Sequence, residues 1–155
     1  MSPSASIIAV PARIPVGAVF VLAFALFAML PARADVRIVS SPGGAVDAYL
    51  SAFARVRQSG ERVVIDGPCL SACTLVLSTI PRNRICVTRR AVLGFHAPRW
   101  FDPRTGYTTR ATEATRTVTA SYPLGVRAWI KKRGGLTQKV IFLRGNELTA
   151  LYPRC

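Results

Sequence analysis

Two side chains in this sequence, those of Ser71 and His96, could together carry out nucleophilic attack on a carbonyl group. Ser71 follows a strand-like run and a Gly-Pro turn, and it lies in an apolar segment, Leu70 to Ile80, that predicts a buried helix. The first N–H groups of a helix are unpaired, so they can receive an oxyanion that forms next to such a serine. Serine is also a common helix N-cap without any chemistry, and its position alone leaves both interpretations open.

His96 is the only histidine of the chain, and it directly follows the strand-like run Val92 to Phe95. Sites in α/β sheets are built at strand ends, so this placement favours a general base, although a lone histidine is more often structural. The pair Gly43-Gly44 follows an earlier strand-like run, Val36 to Val39. Two glycines there let the backbone approach a ligand closely, or they only make a turn.

The residues between these positions alternate between helix and strand patterns. Apolar residues at three- and four-residue spacing, from Val46 to Val56, predict an amphipathic helix that ends near Gly60. Further strand-like runs cover Arg62 to Asp66 and Ile85 to Thr88. The alternation predicts an α/β domain with a mainly parallel sheet flanked by helices.

The C-terminal half has weaker patterns. Pro98 to Tyr107 has little periodicity and is expected to be a loop. Thr108 to Lys132 is predicted to be helical with an interruption at Pro123. Leu136 to Cys155 is expected to form a short helix or strand and a return.

The first 34 residues differ in composition from the rest of the chain. The apolar run Val16 to Leu30 follows Arg13 and precedes Ala32-Arg33-Ala34, a pattern typical of a secretory signal peptide that is cleaved after Ala34. The alternative is an uncleaved membrane anchor made of residues 16–30. In either case residues 35–155 are expected to form one exported domain, periplasmic or secreted.

The charge balance is strongly basic. Lysine and arginine number 21 against 7 aspartates and glutamates, which gives a formal net charge of +14. Such a surface favours anionic partners, among them the anionic surface of the cell envelope. The arginines are scattered rather than clustered and interleaved with aromatic residues, which argues against specific recognition of nucleic acid.

All the cysteines, Cys69, Cys73, Cys86 and Cys155, lie in the predicted exported domain. In an oxidising compartment these four permit two disulfides, with three pairings between which the sequence cannot choose. A zinc site is not expected, because no second close cysteine pair follows Cys69 and Cys73. The sequence predicts neither a metal nor a cofactor.

Three ordered blocks of residues resemble the Clp serine peptidases, a family related to the crotonase fold. The blocks are Ser-Pro-Gly-Gly at 41–44, Gly-Pro-Cys-Leu-Ser-Ala-Cys-Thr at 67–74 and Gly-Phe-His-Ala-Pro at 94–98. In that family a strand ends in a Ser-Pro-Gly-Gly turn, a later turn carries the nucleophilic serine at a helix start, and a histidine followed one residue on by proline is the base. The similarity covers residues 36–98, with a weaker echo as far as Leu148.

The resemblance implies a compact βαβ spiral and a serine peptidase. Ser71 would be the nucleophile and His96 the general base and then the acid. Backbone N–H groups near Gly43 and Gly44 and that of Ala72 would form the oxyanion hole. The substrates would be peptides or unfolded proteins, because ATP-driven unfoldases do not operate outside the cytoplasm, and a homo-oligomer is a further expectation.

The sequence departs from the family at the third catalytic position. The family has an aspartate near the C-terminal end, but no aspartate follows Asp102 in this chain. Asn146 is the leading candidate to orient His96, as asparagine does in papain-like enzymes. Glu147 and Asp102 are the alternatives.

A second departure is at the front of the domain. The family has a further strand and helix before the Ser-Pro-Gly-Gly strand, so this fold is expected to be N-terminally shortened. A partner subunit, a compact variant of the fold, or a gene start placed too far downstream would each account for the difference.

Three functions remain open. The leading one is an exported hydrolase that cleaves peptide bonds. The second is a non-catalytic binding or assembly protein that keeps Ser71 and His96 but lacks a working third residue. The third is a hydrolase of acyl esters or thioesters built on the same frame.

Overall fold

The computed structural model describes residues 34–155, so residues 1–33 of the predicted signal peptide, including the alternative anchor at 16–30, lie outside the described residues. The described chain combines short strands with helices, which confirms the predicted α/β class. The elements are β1 (Val36–Ile38), α1 (Val46–Ser59), β2 (Val63–Ile65), β3 (Pro68–Leu70), a 3₁₀ helix (Ser71–Leu75) followed by α2 (Val76–Thr79), a 3₁₀ turn (Arg82–Arg84), β4 (Ile85–Val87), β5 (Val92–Phe95), β6 (Arg99–Phe101), β7 (Thr108–Arg110), α3 (Thr112–Ser121), α4 (Leu124–Lys132), β8 (Ile141–Arg144) and α5 (Gly145–Leu151).

The strands of residues 34–155 form three small sheets rather than one mainly parallel sheet. In the first sheet β1, β2 and β4 are all parallel, and in the second β5 pairs in parallel with β3 and antiparallel with β8. β6 and β7 form a separate antiparallel ribbon. A parallel bridge between Ser41 and Cys69 continues the path of β1 alongside β3, so the chain passes from the first sheet to the second at this point.

The hydrophobic core lies between these sheets and the helices. β2 and β4 are buried along their whole length, as expected for parallel strands covered on both faces. α1 contributes Phe53 to the core and ends next to Gly60, as the sequence predicts, and the φ of 77° at Gly60 forms a left-handed cap. The segment Ala72 to Leu77 is buried throughout, as its apolar composition predicts.

Two regions differ from the predicted elements. The helix predicted over Leu70 to Ile80 is instead the end of β3, a 3₁₀ helix and a single turn of α-helix. The predicted loop from Pro98 contains β6, and the helix predicted from Thr108 begins at Thr112, because residues 108–110 pair with β6. Pro123 separates α3 from α4, as predicted.

Asp66 is a buried carboxylate that joins three strands. Its side chain accepts hydrogen bonds from Arg37 in β1 and from Thr88 and Arg90, which follow β4. Hydrogen bonds from Arg90, Thr88 and Arg37 hold the pKa of this carboxyl far below its ordinary value of 3.8. The carboxylate therefore stabilises the first sheet whenever it is ionised.

Replacing Asp66 with asparagine is expected to lower the free energy of unfolding at pH 7 and to reduce the acid sensitivity of the fold. A carboxyl whose pKa is depressed in the folded state stabilises the fold above its unfolded pKa and loses that contribution as the pH falls below about 4. Urea unfolding at pH 7 and pH 3 would measure this, with Asp47→Asn, a change at an exposed aspartate, as control. If the free energies of unfolding of the variant and the wild type differ by the same amount at both pH values, the role assigned to Asp66 is wrong.

Candidate active site

Ser71 lies on the sharp turn between β3 and the 3₁₀ helix. Its φ is 55°, and within residues 34–155 it is the only residue other than glycine with a positive φ. L-residues rarely adopt this conformation, and backbone strain of this kind is concentrated at functional sites. A serine on a strained strand-to-helix turn is also how the nucleophile is presented in α/β-hydrolases.

Gly43 packs directly against this turn. A Cβ atom on Gly43, whose φ is 85°, would lie 2.5 Å from Ser71 Cβ, 2.6 Å from the Leu70 carbonyl oxygen and 3.0 Å from the Ala72 nitrogen. Only glycine fits this position, because it has no Cβ and tolerates a positive φ. The glycine turn after β1 and the serine turn after β3 therefore form one unit.

A disulfide between Cys69 and Cys73 spans the same turn. The two cysteines are 0% and 1% exposed, and each lies two residues from Ser71 along the chain. The second disulfide joins Cys86 in β4 to the C-terminal Cys155. Both predicted disulfides are present, in a pairing that the sequence alone could not choose.

A buried hydroxyl pair supports the turn from inside. The Thr74 hydroxyl donates a 2.6 Å hydrogen bond to the Ser71 carbonyl oxygen, so the Tyr122 hydroxyl, 2.7 Å from Thr74 Oγ1, must be the donor in the second bond. Burial raises the pKa of Tyr122 to about 12, which keeps this donor protonated at neutral pH. Sequence reasoning missed this pair, since nothing in the local pattern connects residues 48 positions apart.

His96 directly follows β5 and is half-buried. Its Nδ1 lies 2.8 Å from the carbonyl oxygen of Ala97. Because a carbonyl oxygen can only accept, Nδ1 carries the proton in the neutral ring and Nε2 carries the lone pair. This is the tautomer that a general base requires, with a backbone carbonyl in the orienting role.

Ser71 and His96 line one open cavity of about 380 Å³. Ser71 Oγ and His96 Nε2 form no hydrogen bond with each other in the described structure, so the two side chains share the cavity without being engaged. Catalytic hydrogen bonds are often long or poorly aligned before substrate binds, so the absence of this bond is compatible with a catalytic role for both residues. The remaining wall is mostly apolar and is formed by Gly44, Ala45, Val46, Ala72, Leu75, Pro98, Arg99, Val118, Tyr122 and Val140.

The backbone N–H groups of two residues that line the cavity, Ala72 and Gly44, have no backbone acceptor in the described structure. Ala72 is the second residue of its helix, where an N–H group has no acceptor within the helix. Among the residues described, the Gly44 N–H donates no backbone hydrogen bond. Both residues line the cavity, whereas Gly43 packs behind the serine and positions the turn.

The structure does not bring Asn146 to His96. In the antiparallel pair of β5 and β8, Val92 lies opposite Arg144 and Phe95 opposite Ile141. Asn146 therefore lies beyond the start of β5 and His96 beyond its end, which separates them by at least about 13 Å. The side chain of Asn146 is exposed and forms no hydrogen bond within residues 34–155.

The two alternative carboxylates are engaged elsewhere. Both oxygens of Glu147 accept hydrogen bonds from Arg133 at 2.7 Å, and this contact lowers the pKa of Glu147. Asp102 lies in the turn of the β6–β7 ribbon and accepts a hydrogen bond from the Arg104 backbone N–H. Neither residue lines the cavity.

Comparison with models of known protein families finds no match, and comparison with curated proteins finds none either.

The two disulfides fit an exported protein in an oxidising compartment. Across residues 34–155, each helix is too short or too polar to cross a membrane.

Replacing Gly43 with alanine is expected to destabilise the fold far more than the same change at Gly106. Both glycines have positive φ values, 85° and 72°, so both substitutions carry a backbone cost of about 1–2 kcal/mol. Only Gly43 has atoms in the way of the new methyl group, whereas nothing lies within 4 Å at Gly106. Urea unfolding of both variants measures the difference, and equal losses would contradict the tight contact with Ser71.

Removing the two disulfides separately is expected to rank the two variants in opposite order for global stability and for local protection of the serine turn. Loop-closure entropy predicts a loss of about 4 kcal/mol for Cys86→Ala/Cys155→Ala, which opens a loop of 69 residues, and only about 2 kcal/mol for Cys69→Ala/Cys73→Ala. Native-state hydrogen exchange of residues 70–76 should nevertheless rise more in the second variant. Unchanged protection of these amides would show that the disulfide does not hold the serine turn.

Proposed function

We propose that this protein is an exported Clp-like serine hydrolase that cleaves peptide bonds, with Ser71 as nucleophile and His96 as general base. One observation carries the proposal: the strained Ser71 turn opens into the same cavity as a histidine whose Nδ1 is already held by a backbone carbonyl. The strained turn fits a nucleophile, and the histidine tautomer fits its base.

The proposed reaction assigns a role to each of these groups. Nε2 of His96 takes the proton of Ser71 as Oγ attacks the substrate carbonyl carbon, and the oxyanion is received by the N–H groups of Ala72 and Gly44. The protonated His96 then gives its proton to the leaving amine as the C–N bond breaks. A water molecule, deprotonated by His96, hydrolyses the acyl-enzyme and returns Ser71 to its starting state.

In this proposal the carbonyl of Ala97 orients His96, which is one of the two roles that an aspartate has in a full catalytic triad. It fixes the ring orientation and the tautomer of His96, since Nδ1–H must point at it. It carries a dipole rather than a full negative charge, so it stabilises the imidazolium less well than a carboxylate. A slow hydrolase is therefore expected.

The fold supports the same family-level proposal. Parallel pairing of β1, β2 and β4, followed by the Ser41 bridge to the second sheet, is what a compact βαβ spiral of the Clp and crotonase type would have. The domain would be exported by residues 1–34 acting as its signal peptide. The alternative of an anchor at residues 16–30 is part of the same proposal.

The cavity favours a small or extended substrate. Its volume lies within the range of small-ligand pockets, and it is open to solvent. Apolar side chains from Val46, Leu75, Val118 and Val140 line it, which suits an apolar side chain next to the scissile bond. Short peptides or unfolded segments are the proposed substrates.

A fluorophosphonate probe is expected to label the protein at Ser71. Ser71→Ala should abolish labelling, and His96→Ala should slow it by about 10²- to 10⁴-fold, because the base is lost. Ser78→Ala, a change at another partly buried serine of the same segment, should label like the wild type. Asn146→Ala should also label normally, because Asn146 lies at the far end of β5.

A second candidate, a non-catalytic binding protein, is favoured by two absences within residues 34–155: Ser71 and His96 form no hydrogen bond with each other, and no carboxylate is hydrogen-bonded to His96. The hydrolase proposal is wrong if the folded wild-type protein stays unlabelled under conditions that label a control serine peptidase. The binding protein then predicts that Ser71→Ala and His96→Ala leave partner capture unchanged. If the protein is labelled and cleaves thioesters but not peptides, it is an acyl hydrolase rather than a peptidase.

A further inference from the structure

The β6–β7 ribbon exposes an unusual amount of aromatic surface. We call residues 99–110 the aromatic ribbon. Trp100, Phe101 and Tyr107 in it are 66%, 64% and 76% exposed, and all six of its strand residues are exposed. A two-stranded ribbon alone is marginally stable in water, and clustered exposed apolar side chains usually mark an interaction site. The aromatic ribbon therefore has the properties of a surface that contacts something else.

The charges on the aromatic ribbon indicate an anionic partner. It carries three arginines, Arg99, Arg104 and Arg110, against one acidic residue, Asp102. Asp102 is in an ion pair with Arg104, at 3.8 Å. Arg110 forms no ion pair within residues 34–155. Exposed aromatic rings and an excess of arginine on one surface match the boundary between lipid head groups and acyl chains.

We propose that the aromatic ribbon docks this protein on an anionic phospholipid bilayer. Trp100, Phe101 and Tyr107 would enter the interfacial layer, where tryptophan and tyrosine are favoured, while the arginines bind lipid phosphates. A second copy of the chain is a poor occupant, because both copies would bring positive charge to the contact.

The aromatic ribbon begins at the edge of the cavity that holds Ser71 and His96. Arg99, the first residue of the ribbon, and Pro98 beside it both line the cavity that holds Ser71 and His96. Docking would therefore hold the cavity mouth close to the membrane surface. Docking through the aromatic ribbon requires no catalytic activity at Ser71, since only residues of the ribbon contact the bilayer.

Tryptophan fluorescence with vesicles tests the proposal on the protein expressed from the full chain. The sequence contains two tryptophans, of which Trp100 is exposed and Trp129 is only 8% exposed. Vesicles of phosphatidylglycerol and phosphatidylcholine should shift the emission to shorter wavelength, and pure phosphatidylcholine should shift it much less. Trp100→Phe should still sediment with the mixed vesicles but lose the shift, which assigns the signal to the ribbon.

Matched substitutions separate the ribbon from general hydrophobicity. The triple variant Trp100→Ser/Phe101→Ser/Tyr107→Ser should lose at least ten-fold in affinity for the mixed vesicles. Leu124→Ser/Phe142→Ser, which changes exposed apolar side chains elsewhere, should bind like the wild type. Arg104→Gln/Arg110→Gln should weaken binding by about 5-fold for each arginine, and high salt should do the same. Circular dichroism would check that each variant is folded.

Three results would overturn the proposal. The first is equal vesicle affinity of the triple variant and the wild type, which would place any membrane binding elsewhere in the chain, including its N-terminal segment. The second is a dimer in sedimentation velocity that the triple variant abolishes, which would make the ribbon a contact between copies. The third is binding of single-stranded oligonucleotide that quenches Trp100 when anionic vesicles do not, as stacking on nucleic acid would produce.

Discussion

The packing of Gly43 against Ser71 is the contact on which the candidate site depends. It brings the turn after the first strand into the space beside the serine, and it leaves no room for a side chain there. The Cys69–Cys73 disulfide and the Thr74 hydroxyl restrain the same turn. A residue with a strained backbone persists only where its surroundings determine it strongly, and these restraints do so independently of one another.

Elements with a local signal could be predicted from the sequence. β5 matches its predicted bounds, and α1 ends next to the predicted Gly60, because a short apolar run and a glycine after an apolar stripe are local features. The conformation of the segment after Leu70 could not be predicted in this way, since its apolar composition indicates burial but not the type of helix. A disulfide across four residues and a positive φ at Ser71 replace the expected helix start with a tighter turn.

The partner of His96 could not be predicted in the same way. The family resemblance directs attention to side chains near the C-terminus, but the atom that meets Nδ1 is the carbonyl oxygen of the next residue. Every residue has such an oxygen, so residue types contain no signal for it. The distance from Asn146 to His96 is likewise set by the register of β8 against β5, which is a property of strand pairing rather than of either residue.

These restraints also decide where movement can occur if the site is catalytic. The Ser71 backbone is held by Gly43, the disulfide and Thr74, and the Ala97 N–H donates a 2.7 Å hydrogen bond to the Thr137 carbonyl. The peptide groups on both sides of the cavity are therefore fixed. A hydrogen bond between Oγ and Nε2 would therefore have to form through rotation of the Ser71 and His96 side chains. The hydrolase and the binding protein differ in whether that rotation takes place.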